Sequence, residues 1–147
     1  MRSISFVLLV AAVLLSACAP QGDTTASSET PSAPGSSDYA PRTTDGSLTR
    51  GSVYISSVDL LTMESYPLQF SLSLKGNLPT PCNELRVSVA PPDKANKIAV
   101  EIYSVVNSNA MCAEVLQPFE VNIPLGSFPA GHYSLLVNGQ KAAELDT

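Results

Sequence analysis

Leu68-Gln69-Phe70-Ser71-Leu72-Ser73-Leu74-Lys75 alternates apolar and polar side chains without a break. Successive side chains of an extended chain point to opposite faces, so this stretch carries one apolar and one wet face and predicts a half-buried strand. The device recurs at Leu85, Val87 and Val89, at Ile98, Val100 and Ile102, at Phe119, Val121 and Ile123, and at Tyr133, Leu135 and Val137. An opening strand across Val53 to Leu61 is less regular, and a closing strand from Lys141 to Leu145 is short. Pro67 has no amide proton for a ladder, so that end of its strand should be an edge, a bulge or the first residue.

Between the runs stand Gly76-Asn77, Pro91-Pro92-Asp93, Asn107-Ser108-Asn109, Pro124-Leu125-Gly126, Pro129-Ala130-Gly131 and Asn138-Gly139. Asn-Gly favours positive φ at both centres of a type I′ turn, so Tyr133 to Val137 should pair antiparallel with Lys141 to Leu145. Asn109 to Gln117 is the one candidate for a helical turn, and Pro118 ends it. The pattern predicts an all-β domain over residues 51–147, a single antiparallel sandwich of about seven strands. It resembles immunoglobulin-like and fibronectin type III-like sandwiches, with Gly131-His132-Tyr133 resembling their tyrosine corner. Two departures stand out: there is no Trp, and Cys82 and Cys112 flank strands rather than lying inside them.

Residues 19–50 hold twelve Ser or Thr, four Pro and three Gly, with only Tyr39 and Leu48 as large apolar side chains. That composition cannot bury enough surface to offset chain entropy and predicts a disordered tether over 18–50, with a coil-like reach of roughly 30 Å. Ahead of it, Arg2 precedes an apolar run from Ile4 to Leu15 that closes on Leu15-Ser16-Ala17-Cys18. A helix spanning hydrocarbon takes about 20 apolar residues, more than this run offers. A plain cleaved signal is the other alternative. Leu15-Ser16-Ala17-Cys18 resembles the lipobox of bacterial lipoproteins, which implies a signal peptide over 1–17 and a diacylglycerol on the thiol of Cys18. Ala19 after that cysteine carries no inner-membrane retention signal, so in a two-membrane host the expected address is the outer membrane. The localisation expected is a cell membrane or outer membrane, with the domain on the extracytoplasmic side.

Assigning Cys18 to lipid leaves Cys82 and Cys112 as a pair, which an oxidising compartment favours as a disulfide; two free thiols are the alternative. Zinc would need two more Cys or His ligands, and His132 is the single histidine. No cofactor and no metal are expected. Removal of residues 1–17 takes away one of eight basic residues and none of the thirteen acidic ones, which moves the net charge from −5 to −6. An acidic chain with no basic block is unsuited to nucleic acid.

Chemistry-bearing residues are sparse. His132 alternates with Tyr133 and so should lie on an outward face, and no nucleophile-elbow motif accompanies it. Nine acids occupy residues 51–147, most at outward or turn positions, as Glu101, Glu120 and Asp93 do. A bridge between Cys82 and Cys112 would bring Glu84 and Glu114 together, the weak beginning of a calcium site. Tyr54, Tyr66 and Tyr103 would form an aromatic platform if the fold gathers them. The stretches Leu78 to Leu85, Pro118 to Gly126 and Gly131 to Gly139, with Cys112, resemble a domain of small secreted bacterial proteins and lipoproteins, which implies fold and compartment and assigns no functional residue.

The expected function is a membrane-anchored extracytoplasmic lipoprotein, not an enzyme, whose sandwich is an interaction or structural module for an envelope protein or glycan. Recognition is assigned to the bridged loops carrying Pro79, Pro81, Glu84 and Glu114, because a covalent clamp lowers the entropy cost of binding. A protease inhibitor and a sugar- or solute-binding lipoprotein are the alternatives.

Overall fold

The computed structural model describes residues 38–147. Cys18, the lipobox, the signal segment 1–17 and the tether up to residue 37 lie outside the described residues. After a 3-10 turn at Thr43–Ser47 come eight strands: β1 Thr49–Gly51, β2 Tyr54–Met63, β3 Gln69–Leu78, β4 Glu84–Val89, β5 Lys97–Val106, β6 Gln117–Gly126, β7 His132–Val137 and β8 Gln140–Asp146. They form two sheets, β2-β3-β6 and a five-stranded one in which β5 pairs with β1, β4 and β7, and β8 lies outside β7. Among the described residues no helix is long and apolar enough to cross a membrane.

The alternating sets face one another across the sandwich. Phe70, Leu72 and Leu74 of β3 and Val121, Ile123 and Leu125 of β6 pack against Leu85, Val87, Ile98, Val100, Ile102, Tyr133, Leu135, Val137 and Leu145 of the other sheet. All are buried, and truncating a fully buried leucine such as Leu72 to Ala would cost about 2–5 kcal/mol. Leu68, expected on the inward face, is instead exposed, because β3 begins at Gln69 and Leu68 and Pro67 lie in the loop before it.

Two features depart from an all-antiparallel sandwich that starts at Gly51. First, Lys97–Val100 of β5 pair parallel with Ser134–Val137 of β7. The chain leaves the larger sheet after β5, reverses in the opposite sheet as β6 and reverses again on return. β7 therefore runs in the direction of β5, and adjacency makes the pair parallel. Second, the domain begins before residue 51. Residues 38–50, expected in the tether, include β1, which pairs Thr49–Gly51 with Ser104–Val106, and the carbonyl of Tyr39 accepts the amide of Val87 at 2.8 Å. Tyr39 packs on the core, and Asp45 binds Arg86. Composition alone missed this because the segment is ordered by partners far along the chain.

The irregular opening strand has a local cause. Ile55 pairs with Gly76 but Ser57 with Lys75, so Ser56 is an extra residue and the inward set switches from Ile55 to Val58 and Leu60. Gly76 belongs to this construction, since a Cβ there would run into the Tyr54 carbonyl and the Phe119 ring. The β7–β8 turn has the expected form, with φ of 47° at Asn138 and 82° at Gly139 and Val137 opposite Gln140.

Candidate interaction site at the bridged crossovers

β3 and β6 are neighbours in one sheet, β4 and β5 in the other, so the β3–β4 and β5–β6 loops cross between sheets side by side. The Cys82–Cys112 disulfide joins these crossovers, with Cα atoms 6.0 Å apart, and the Cys82 amide donates to Sγ of Cys112 at 3.1 Å. Beneath the bridge Thr80 Oγ1 donates to Asn83 Oδ1 at 2.7 Å, Asn83 Nδ2 donates to Ser104 Oγ at 3.1 Å, and Ser104 Oγ donates to the Ser52 carbonyl at 3.1 Å. Asn83 and Ser104 are buried, and each is satisfied by this chain of bonds. It welds the β3–β4 turn to β5 and to the link between β1 and β2. The one signal for it in the sequence is Ser104, a hydroxyl at the inward position after Ile98, Val100 and Ile102.

Arg86 adds an ionic lock nearby. Its place between Leu85 and Val87 gives it the outward face of β4, yet the 3-10 turn covers it, leaving the side chain 3% exposed. The guanidinium takes both Asp45 oxygens, from Nε at 2.8 Å and Nη2 at 2.9 Å, and Nη2 also donates to Glu84 at 2.8 Å. The hydrogen bond from Arg86, aided by the Arg42 amide, holds the Asp45 carboxyl at about 2. Arg86 is pushed up in turn, mainly by Asp45.

The sequence-chosen residues separate on this surface. Pro81 is exposed and Pro79 half-buried in the β3–β4 loop. Glu84 opens β4 and is committed to Arg86 and, at 3.4 Å, to Arg42. Glu114 lies exposed in the β5–β6 loop. Among the described residues no group of three or more His, Cys, Asp or Glu is placed to hold a metal ion. The missed feature is apolar: Met111 is fully exposed, and Val115 and Leu116 are each 57% exposed on the bridged β5–β6 loop.

The three tyrosines do not form a platform. Tyr54 begins β2, Tyr66 lies in the loop at that strand's far end, and Tyr103 belongs to the other sheet, where the Arg50 guanidinium stacks 3.6 Å from its ring centre. Arg50, Glu101, Tyr103 and Asn138 edge an open groove of about 570 Å³ between β1 and the β7–β8 turn. In that gap the Asn138 side chain replaces a strand: Oδ1 accepts the Ile102 amide at 2.8 Å and Nδ2 donates to the Ile102 carbonyl at 3.1 Å.

His132 lies on the outward face of β7 with Nδ1 2.7 Å from Asp146 and Nε2 3.6 Å from Glu144. The Asp146 hydrogen bond and charge push its pKa up. Tyr133 beside it makes the corner bond, donating from its hydroxyl to the Pro129 carbonyl at 3.0 Å.

These features define a bridged, two-sheet β-sandwich with a tyrosine corner. The chain belongs to the ORF11 beta-sandwich domain family, which matches residues 72–146. It is also similar to the uncharacterized 10.2 kDa protein in the HgiCIIM 5′ region of Herpetosiphon aurantiacus, with 32% identity over 85 residues, 57% of this chain and 89% of that protein. No solved structure matches.

Proposed function

We propose that the protein is an extracytoplasmic lipoprotein, attached through Cys18, whose sandwich is a non-catalytic module that binds an envelope protein through the bridged end. The observation that carries the interaction reading is the display of Met111, Val115 and Leu116 on a loop held by the Cys82–Cys112 bridge. Exposed apolar side chains on a stiffened loop bury surface at little entropic cost, and they suit a protein partner better than a glycan. The address rests on Leu15-Ser16-Ala17-Cys18 and the short apolar run before it.

Intact mass of the membrane-extracted protein tests the anchor: a lipidated chain beginning at Cys18 is expected, and an unlipidated chain beginning at Ala19 or later overturns it. Photo-crosslinking from position 111 in cells tests the site. A discrete protein adduct that Leu116→Asp abolishes is expected, and an adduct pattern equal to that from the exposed sheet position Asn122 overturns it.

A further inference from the structure

The sheet edges of this domain are treated unequally. An unpaired edge strand presents free amides and carbonyls to any extended chain, so proteins blunt such edges with proline, bulges, charge or a cover. β6 carries Pro118 and Pro124, the free edge of β4 is covered where Tyr39 accepts the Val87 amide, and β8 is bulged at Ala142 beside Lys141. On β2 the bulge at Ser56 and the neighbouring β8 guard the upstream half alone. From Ser57 to Met63 the strand keeps unbroken register with β3, and among the described residues no strand pairs with its other edge. This half also carries Leu61 and Met63, each 44% exposed, and leads to Tyr66, which is fully exposed.

We propose that the downstream half of β2 is a self-association edge, on which a second copy of this chain pairs antiparallel about a two-fold axis at Leu61. The pairing joins two three-stranded sheets into one of six strands. Charge selects this occupant and this register. The outward side chains of the free half are Asp59, Leu61 and Met63. With Leu61 opposite Leu61 of the second copy, each Asp59 faces a Met63, so the acids are kept apart and the exposed apolar side chains meet. Centring on Asp59 would oppose two carboxylates, which costs stability across a ladder.

The same register carries each hairpin tip past Asp59 of the other copy toward an open groove of about 400 Å³ edged by Ser56, Val58, Gln140, Lys141 and Ala142. The tip brings the exposed ring of Tyr66 to that groove, whose Lys141 is already paired with Glu144 of its own chain. A closed two-fold pairing uses the edge on both copies and leaves no open edge to propagate a fibre.

Sedimentation equilibrium of the full chain in density-matched detergent, over a wide concentration range, tests the pairing. A monomer–dimer equilibrium is expected. Met63→Lys, which sets a cation opposite Asp59 twice, should tighten it about fivefold, and Met63→Glu should weaken it about as much. Leu61→Glu, with two carboxylates at the axis, should leave monomer, and each variant should keep the strand circular dichroism of the parent. A monomer at every concentration overturns the proposal, and so would a chain that instead covers this edge with its own preceding residues. A dimer whose strength ignores the sign of the charge at position 63 overturns it equally.

Discussion

At the bridged end of the sandwich a disulfide and a buried ion pair join residues distant in sequence; at the opposite end the turns are held by hydrogen bonds between near neighbours, beside the longer-range packing of Phe128 on Phe70. Cys82 and Cys112 are 30 residues apart, Arg86 and Asp45 are 41, and Ser104 and Ser52 are 52. At the far end Tyr133 reaches back four residues to Pro129, and Asp93 accepts the amides of Ala95 at 2.8 Å and Lys97 at 2.9 Å. Phe128 packs there with ring centres 5.3 Å from Tyr133 and 6.0 Å from Phe70. A covalent cross-link that closes a large loop restricts the unfolded chain, and a buried ion pair is costly to break by removing one partner, whereas local hydrogen bonds add small, separable increments. The bridged end should therefore fail by large steps and the far end by small ones.

Removal of the bridge is the largest expected effect. Closing a loop with a sequence separation of 30 restricts the unfolded chain by about 3.7 kcal/mol. Reduction, or Cys112→Ser, should lower the thermal midpoint by at least about 10 °C. A midpoint unchanged by reductant would remove the contrast between the two ends.

Next comes Arg86→Ala, which leaves Asp45 and Glu84 facing a lost cation and unfastens the 3-10 turn. A cost of about 3 kcal/mol is expected, with faster amide exchange at Val87 and along β1. Acid should mimic it. The Asp45 carboxyl is lowered from 3.8 to about 2, so its contribution is complete above about pH 4 and is lost as pH falls toward 2. An acid transition identical in the parent and in Asp45→Asn would remove this lock from the comparison.

Tyr133→Phe deletes one hydroxyl bond at the far end and should cost about 1 kcal/mol, with a midpoint lowered by roughly 5 °C. A loss equal to that from Arg86→Ala would show that the far end is not held by small increments. The smallest effect belongs to His132. Its pKa is raised by Asp146 and Glu144, so the contribution is present below the ordinary histidine value of about 6.5 and is lost as pH rises through the elevated one. The midpoint should therefore drift down between mildly acidic and alkaline pH, and His132→Gln or high salt should flatten that drift, since the pair is exposed and screened.

Strand alternation, the Asn138-Gly139 turn and the outward placement of His132 were legible in the chain because each rests on residues one to five positions apart, and the number of alternating runs implied a two-sheet core. The same holds for the lipobox-like motif, whose consequences lie outside the described residues. Cys82 and Cys112 were legible as a pair by chemistry rather than geometry. Ser56 was not, because a bulge appears in sequence only as a slip of phase from Ile55 to Val58.

The amino-acid sequence by itself determined which residues of β3 to β7 face inward, since period two is a local consequence of extended backbone and the apolar sets there are long enough to enforce it. The tertiary structure alone decided three things. It set β7 parallel to β5, because direction follows from how many times the chain crosses between sheets. It drew residues 38–50 into the domain, because a polar segment gains order only when Arg86 and the edge of β4 are already in place. It turned Glu84 toward two arginines and left Met111, Val115 and Leu116 outside, because the partner of a surface side chain is set by which loops the crossovers bring together.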